Sequence, residues 1–441
     1  MKKQSILIFS SILIIFTITS LQGASTHFCQ NVTLNQEALG TVPKINGNNY
    51  SIKQISYPSN FTANITIMIA TGDLIFSDRF VSDILLNQTI GYINQNFPNL
   101  TITIEFPDAF QEIDKIEDIA ATNSTEFIIW LGKGWTGFDQ NKINRWMNPD
   151  WTNNSNLKGI ALIDTITDWH EKWNYENISY HIFNRTEASF LAGSWAAFAS
   201  EDDRIGVVMP WDINPTTSSA FFSRDSPFMF LYSGQLASLF AGVQYTSEEY
   251  MNRKIIEVLT DHIDSANFVE EEDAIEENIK LTDKLLSRGA DTLIGFGNYG
   301  DEGILESVRS NPGTKVFMMD SYPINNYQDL DIAYLYPNYT LSIIKQLEFW
   351  AENGSSLFLQ NIYRPGDENY PFMNDVIVND NFQNITNKIM NYEIAIPSDF
   401  FYDRYGGIPE NVKIISGYEL LSFLLVIPGI YSIRKKKFAK N

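Results

Sequence analysis

The chain has 441 residues, with 53 Asp and Glu against 31 Lys and Arg, so its formal net charge is −22. This negative charge repels phosphate backbones and argues against a nucleic-acid polymer as partner. Hydrophobic residues make up 44% of the chain, too many for a disordered protein, and the length predicts two or three domains. The single cysteine, Cys29, excludes an intramolecular disulfide and any metal site that needs several cysteines.

Both termini predict export and membrane attachment. Residues 1–24 have two lysines, an apolar run and then small residues, which is the layout of a secretory signal peptide; an uncleaved membrane anchor is the alternative. Residues 25–55 are interpreted as a polar leader or tether. Residues 417–433 are nearly all apolar and precede a basic tail at 434–441, which predicts a C-terminal transmembrane anchor with a cytoplasmic tail. The alternative is an apolar terminal helix packed on the body.

Glycosylation sequons support an extracytoplasmic location for the body. The pattern Asn-X-Ser/Thr occurs at Asn31, Asn49, Asn60, Asn64, Asn87, Asn99, Asn123, Asn153, Asn177, Asn184, Asn338, Asn353 and Asn384. A chain rich in Asn and Thr contains several by chance, but thirteen together are consistent with an exported surface that can carry glycans. Export of a chain with so little cysteine suggests a prokaryotic cell envelope.

Strand-like and helix-like segments alternate along the body. Buried strands are predicted at 65–70, 100–106, 126–132, 159–164, 204–210, 291–297 and 315–321. Helices are predicted near 78–96, 189–200, 225–242, 247–260, 273–289 and 301–310. This alternation predicts an α/β fold with parallel sheets.

The number of segments predicts two doubly wound parallel-sheet lobes that face each other across a cleft. The first lobe would comprise 56–203 and 330–355, and the second would comprise 204–329 and 356–405. In such folds, ligands bind at the carboxyl ends of the strands. We therefore looked for ligand-binding residues in the loops that follow strands.

Motifs for catalysis, cofactors and metals are weak. Residues 295–300 (GFGNYG) have the glycine spacing of a dinucleotide-binding loop, but they lie late in the chain, and a loop that lines a ligand cleft explains them as well. His170 and His181 have no carboxylate at zinc-ligand spacing and are interpreted as structural. The acidic run at 270–278 lacks the spacing of a calcium loop and suits the start of a helix. We expect no cofactor, no metal and no catalytic residue.

Several loops that follow predicted strands combine aromatic and acidic residues. They lie at 71–80, 132–140, 210–215, 295–300 and 319–323. Aromatic rings stack on planar ligands and carboxylates accept hydrogen bonds from hydroxyls, which suits a nucleoside or sugar better than an anion. Trp135 and Asp212 are candidate ligand-binding residues from the second and third loops. The alternative is that surface turns simply collect such residues.

Six segments of the body occur in an order that is typical of one protein family. They are 159–169 (GIALIDTITDW), 182–190 (IFNRTEASF), 187–200 (EASFLAGSWAAFAS), 204–215 (RIGVVMPWDINP), 263–308 and 315–322 (KVFMMDSY). Together they resemble the basic membrane protein family, the nucleoside-binding receptors of ABC transporters. The resemblance covers the chain from about residue 65 to about 345 and implies a fold like that of type I periplasmic binding proteins.

The resemblance also implies ligand-binding residues. Phe80 matches an aromatic side chain that stacks on the base, and Gly297 and Asn298 match a glycine-rich loop beside the ligand. Asp320 matches the carboxylate that receives the ribose hydroxyls. Asp73 is the candidate acid of the first loop, although this loop is shifted by two residues relative to the family pattern.

Two positions depart from the family pattern. The asparagine expected after Phe80 is Val81, and the lysine expected on a crossing strand is absent near Pro337. Both departures concern the ligand rather than the fold. The predicted C-terminal anchor also replaces the lipid anchor that is usual in the family.

The resemblance implies a monomeric, membrane-anchored solute-binding protein that delivers a small-molecule ligand, a nucleoside, to an ABC permease. Two alternatives remain open. One is a surface sensor or receptor without a transporter. The other is an envelope nucleoside hydrolase that uses Asp73 and Asp320.

Overall fold

The computed structural model describes most of the body of the chain. The described residues are 61–69, 88–106, 112–122, 124–132, 156–164, 177–209, 227–251, 257–262, 271–296, 300–321, 327, 329–353, 359–373, 379–396 and 413–414. The predicted signal peptide, tether, transmembrane anchor and basic tail lie outside these residues. None of the helices in the described part of the chain is long and apolar enough to cross a membrane.

The first sheet has six parallel strands in the order β11-β5-β4-β3-β1-β2. They are β1 Ala63–Ile69, β2 Leu100–Glu105, β3 Phe127–Leu131, β4 Gly159–Ile163, β5 Ile178–Phe183 and β11 Leu359–Tyr363. β3 and β4 are buried along their whole length, and their sequences FIIWL and GIALI are continuous apolar runs. Such runs are typical of parallel strands that are covered on both faces.

The second sheet has the same organisation in the order β12-β10-β9-β8-β6-β7. Its strands are β6 Arg204–Met209, β7 Glu257–His262, β8 Thr292–Phe296, β9 Lys315–Met319, β10 Ile332–Leu335 and β12 Phe372–Met373. All of them pair in parallel except β12, which pairs antiparallel with β10. A small third sheet pairs β13 Ile394–Ala395 with β14 Lys413–Ile414. The prediction of two parallel α/β lobes is confirmed.

Eight helices are found in the described residues. They are α1 Gly91–Asn96, α2 Glu112–Ala120, α3 Arg185–Ala199, α4 Pro227–Thr246, α5 Glu271–Ser287, α6 Asp301–Ser310, α7 Tyr339–Asn353 and α8 Asp380–Met390. α4 continues into a π-helical turn at Ser247–Met251. The predicted helix at 247–260 is wrong over 257–260, because these residues belong to β7 and pair with β6 along the edge of the second sheet.

The chain crosses between the lobes three times. It leaves the first sheet after β5, returns to it for β11 by way of α7, and then enters the second sheet again as β12. The predicted lobe boundaries at 330 and 356 differ from this path, because β10 pairs with β9 in the second sheet and β11 pairs with β5 in the first. Pairing between strands so distant in sequence leaves no local pattern from which these boundaries could be read.

One hydrophobic core cluster contains residues from both sheets and from the helices α3, α7 and α8. α3 is buried over nearly its whole length, since it packs against the second sheet on one side and against α4 on another. Two glycines make the α3–α4 contact possible: a Cβ at Gly193 would lie 2.1 Å from the Leu239 carbonyl oxygen, and one at Gly242 would lie 2.0 Å from that of Phe190. This packing fixes α3, whose first turn reaches the space between the lobes.

Candidate functional site

Among the predicted ligand-binding residues, Asp320 lies in the described part of the chain. Asp73, Phe80, Trp135, Asp212, Gly297 and Asn298 lie outside the described residues, and their roles stay predictions. Asp320 directly follows β9 at the carboxyl end of the second sheet, where its N–H donates to the Leu335 carbonyl at 2.8 Å. Its φ of +58° places the backbone in the left-handed region, which Asp tolerates better than most residues.

A buried arginine connects Asp320 to the first sheet. Arg185, the first residue of α3, donates from Nε to Asp320 Oδ2 at 2.5 Å. Its Nη1 and Nη2 donate to Asp164 Oδ1 and Oδ2 at 2.5 and 2.7 Å. Asp164 directly follows β4 in the first sheet. One guanidinium therefore joins the carboxyl ends of both sheets, with the bidentate geometry that suits arginine.

Two tyrosine hydroxyls complete this cluster. Tyr339 donates to Asp164 Oδ2 at 2.5 Å, and Tyr370 donates to Asp320 Oδ1 at 3.1 Å. Each carboxylate thus receives hydrogen bonds from Arg185 and from one phenol. We call Asp164, Arg185, Asp320, Tyr339 and Tyr370 the interlobe cluster.

The interlobe cluster is shielded from solvent and carries a net negative charge. The side chains of Arg185, Asp164 and Asp320 are 4%, 3% and 5% exposed. Burial by itself disfavours the arginine charge, but Asp164 and Asp320 outweigh it and hold the pKa of Arg185 well above its ordinary value. Among the described residues, one cation and two carboxylates give the interlobe cluster a formal charge of −1, which favours uncharged or cationic ligands over anions.

The hydroxyl protons of the two tyrosines are retained. Burial, followed by the charge of Asp164, raises the pKa of Tyr339 well above its ordinary value. Burial and the charge of Asp320 do the same to the pKa of Tyr370. Because both phenols stay protonated, both act as hydrogen-bond donors to the carboxylates.

The first crossing places Arg185 by local interactions. Asn184 caps α3, since its Oδ1 accepts a hydrogen bond from the Glu187 N–H at 3.1 Å. Phe183, the last residue of β5, packs edge-on against Tyr339 and Tyr370, with ring centroids 5.7 and 5.4 Å apart. The side chains around the guanidinium are therefore held by packing as well as by charge.

A second buried ion pair joins α3 to the third crossing. Arg364 follows β11 and donates from Nε and Nη2 to the two carboxylate oxygens of Glu187 at 2.8 and 2.7 Å. The same guanidinium donates to the carbonyls of Ile389 and Met390 at 2.6 and 3.0 Å, at the end of α8. A cation at this position also interacts favourably with the helix dipole.

Backbone hydrogen bonds connect the three crossings. The Asn184 N–H donates to the Tyr363 carbonyl at 2.8 Å, which joins the first crossing to the end of β11. The Asn338 N–H donates to the Asn369 carbonyl at 2.7 Å, which joins the second crossing to the third. The three segments thus form one hydrogen-bonded unit beside the interlobe cluster.

His181, interpreted from the sequence as structural, is fully buried in β5. Its Nε2 lies 2.8 Å from Gln346 Oε1 and its Nδ1 lies 2.7 Å from the Tyr363 hydroxyl. Because the amide oxygen only accepts, Nε2 carries the proton and Nδ1 accepts from the phenol. Burial is the main reason that the pKa of His181 is lowered to about 4, so the ring is neutral at physiological pH.

Sequence reasoning placed Asp320 at a strand end, as the structure does, but missed the residues around it. Asp164 directly follows β4, and Arg185 follows β5 after one residue, so both lie where we searched for ligand-binding groups. The search favoured loops that combine aromatic and acidic residues, and it therefore passed over a lone arginine at a helix start. Tyr339 and Tyr370 follow no such pattern, and only the tertiary structure brings them to the carboxylates.

Comparisons with known proteins support the fold. Neither a protein family model nor a curated protein matches the chain. A crystal structure of ABC transporter system solute-binding proteins from Aeropyrum pernix K1 is similar, with 14% identity, 74% of this chain and 80% of that chain covered, and a TM-score of 0.50. A transcriptional activator of the comK gene from Bacillus halodurans is similar with 12% identity, 74% and 96% covered, and a TM-score of 0.50.

At these identities the similarity shows the fold alone. The chain has the two-lobed α/β fold of periplasmic binding proteins, as the two sheets and three crossings also indicate. Proteins with this fold include both a solute-binding protein and a regulator. The choice between such functions has to be argued from the site.

Proposed function

We propose that the protein is an extracytoplasmic, membrane-anchored solute-binding protein whose two lobes close on a small ligand. The observation that carries the proposal is the interlobe cluster, in which Arg185 pairs with a carboxylate from the carboxyl end of each sheet. Ligands of open parallel sheets bind at this edge. A single charged residue held by both lobes supports a hinge about which the cleft opens and closes.

The ligand that we propose is a nucleoside. The interlobe cluster has a net charge of −1 and the whole chain a charge of −22, so a phosphorylated nucleotide would be repelled. Asp320 would receive ribose hydroxyls at its carboxylate oxygens, which are hydrogen-bond acceptors. The aromatic side chains of Phe80 and Trp135 would stack on the base, and Asp73, Asp212, Gly297 and Asn298 would line the same cleft.

We further propose that the protein acts without covalent chemistry and delivers the ligand to an ABC permease. The buried ion pair of Asp320 with Arg185 supports binding rather than catalysis, because it fixes the carboxylate in a hydrogen-bonded geometry. The body would lie outside the cell as a monomer, held by the segment at 417–433. The resemblance to the basic membrane protein family supports the same function.

The full-length protein tests the ligand class directly. Purified protein is screened by thermal shift against nucleosides, nucleotides and sugars, and ligand carried through purification is identified by mass spectrometry. We expect the melting temperature to rise with at least one nucleoside and not with its 5′-phosphate. An absence of any shift, together with purified protein that carries no small molecule, would overturn the proposed function. Release of free base during incubation would support a hydrolase instead.

A second candidate function is a sensor without a transporter. It is favoured by one observation, that the fold is shared with a protein described as a transcriptional activator. Uptake of a labelled nucleoside by cells with and without this protein separates the two functions. Loss of uptake supports the transport receptor, whereas unchanged uptake with intact nucleoside binding supports the sensor.

A further inference from the structure

Four sequons in the described part of the first lobe lie at one edge of its sheet. Asn64 is the second residue of β1, and Asn99 and Asn177 directly precede β2 and β5. Asn353 ends α7, before the chain enters β11. Because all strands of this sheet are parallel, these four positions lie at its amino-terminal edge. In the sequence, Asn123 and Asn153 stand four and six residues before β3 and β4, but they lie outside the described residues and the inference does not rest on them.

The side chains at this edge are accessible. Asn64, Asn99 and Asn353 are exposed, and Asn177 is half-buried. Asn177 has a φ of +75°, a left-handed conformation that asparagine adopts in turns.

The second sheet differs in this respect. No sequon occurs within the ten residues before β6, β7, β8, β9 or β10. The sequons at the crossings have structural roles: Asn184 is 3% exposed and caps α3, and Asn338 accepts a hydrogen bond from the Leu341 N–H at 3.0 Å in the first turn of α7. Sequons at accessible strand starts are thus a feature of the first lobe.

We propose that the amino-terminal edge of the first sheet is a glycosylated surface, with Asn99 and Asn353 as its main acceptors. In this modification the amide Nδ2 bonds to the anomeric carbon of a sugar carried on a polyprenyl diphosphate. The bond from that carbon to the diphosphate oxygen breaks, the diphosphate leaves, and Nδ2 loses one proton. The proposal rests on the export that the proposed function requires, since such sugars are attached to exported proteins.

Glycans at this edge leave the candidate ligand site open. The interlobe cluster lies at the opposite, carboxyl-terminal edge of the sheet. A strand of five to seven residues separates the two edges by about 20 Å, since each residue advances the chain by roughly 3.3 Å. A bulky, soluble modification can therefore cover the far end of the first lobe without restricting ligand entry.

The structure also distinguishes acceptors by when they can react. The sequon hydroxyls of Thr66 and Ser179 are 5% and 1% exposed in β1 and β5, so Asn64 and Asn177 would have to be modified before the strands pair. Thr101, the hydroxyl residue after Asn99, is exposed in the folded protein. Asn99 is therefore an acceptor both before and after folding.

Glycopeptide mass spectrometry of the full-length protein from its own cells tests the proposal. We expect sugar on peptides that contain Asn99 and Asn353, and none on the buried Asn184. Asn99→Gln and Asn353→Gln should each remove one glycan from the intact mass. Asn384→Gln is the matched control, because Asn384 is an exposed residue of α8 whose sequon hydroxyl, that of Thr386, is buried and donates to the Phe382 carbonyl at 3.0 Å; this substitution should leave the mass of the glycans unchanged.

Cell fractionation and digestion of intact cells with added protease separate this proposal from the proposed function. If the protease digests the protein on intact cells and Asn99 and Asn353 carry no sugar, the proposal of a glycosylated surface is wrong. The proposed function as a solute-binding protein is not affected by that result. Glycans found only at Asn384 or Asn184 would overturn it as well. Unmodified protein in the cytoplasmic fraction would overturn both proposals.

Discussion

The first and second crossings between the lobes have the same local design and different chemistry. Residues 183–186 (FNRT) lead from β5 into α3, and residues 337–340 (PNYT) lead from β10 into α7. In each, an asparagine side chain accepts a hydrogen bond from the N–H three residues later, at 3.1 Å for Asn184 and 3.0 Å for Asn338. In each, the next side chain donates to Asp164, but the first crossing supplies Arg185 and the second supplies Tyr339.

The carboxylates show the same relation. Asp164 follows β4 and Asp320 follows β9, which hold equivalent places in the two sheets, and their φ angles are +61° and +58°. The lobes are thus alike in backbone, while the cation comes from one crossing only. We infer that the shared backbone determines where the interlobe cluster lies. The single arginine determines which carboxylates are held together there.

Removal of the Arg185 cation should have the largest effect on stability and tests its role in the interlobe cluster most directly. We expect Arg185→Met to lower the free energy of unfolding by about 3–5 kcal/mol, because it leaves two buried carboxylates without their cation. Chemical denaturation of the full-length protein measures the loss. Arg204→Met is the matched control: its pair with Glu257 is 3.5 Å long and the side chains are 48% and 57% exposed, so the cost should stay below about 1 kcal/mol. Equal losses in the two variants would contradict the central role of Arg185.

The strand that leads into the first crossing also carries a titratable group. Burial is the main cause of the low pKa of His181, about 4 in the folded protein against 6.5 for an ordinary histidine. Between these values the unfolded chain binds a proton that the folded protein does not, so this contribution to stability is complete above pH 6.5 and is lost as the pH falls to 4. The loss should reach about 3 kcal/mol.

The pH dependence of unfolding measures this effect. His181→Gln should make the free energy of unfolding less dependent on pH in that window, although it can lower stability at pH 7. The comparison uses the difference between the two proteins, since carboxylates titrate in both. A variant whose pH profile matches that of the natural protein would show that His181 is not the group responsible.

The two tyrosines test the finest difference between the halves of the interlobe cluster. Tyr339 donates to Asp164 at 2.5 Å, whereas Tyr370 donates to Asp320 at 3.1 Å. We expect Tyr339→Phe to cost about 2 kcal/mol and Tyr370→Phe about 1 kcal/mol, because both remove a donor to a charged acceptor and the shorter bond is the stronger. Thermal or chemical unfolding of each variant checks the order. If Tyr370→Phe lowered the free energy of unfolding more than Tyr339→Phe, the hydrogen bond to Asp320 would be the stronger one and the expectation would be wrong.

Local sequence patterns predicted the elements of the lobes more successfully than their connections. The run predicted at 159–164 forms β4, and the run at 315–321 contains β9, because continuous apolar residues need a covered strand wherever they lie. Residues 330–355 were predicted in the first lobe and 356–405 in the second. The observed path differs because β10 pairs with β9 in the second sheet and β11 pairs with β5 in the first, and β11 is far from β5 in the sequence. The helix predicted over 257–260 is a strand for the same reason.

The candidate site shows the same division. The place of Asp320 at a strand end was visible in the sequence, but Arg185 lies 135 residues before it and Asp164 a further 21 residues before that. Nothing local indicates that these three side chains meet. The pattern at Asn184 and Asn338 is likewise a sequon in the sequence and a helix cap in the structure.

By itself, the sequence determined the α/β class, the two parallel sheets and the strand-end position of Asp320, because hydrophobic period and strand composition are local properties. Tertiary structure alone decided which strands belong to which lobe, and that a single arginine joins the carboxylates of both sheets. It also decided that the accessible sequons at strand starts lie at the edge of the first lobe opposite the candidate site. The physical reason is the same in each case: parallel pairing brings together residues that are far apart in the chain, and their contacts form only when both lobes have folded.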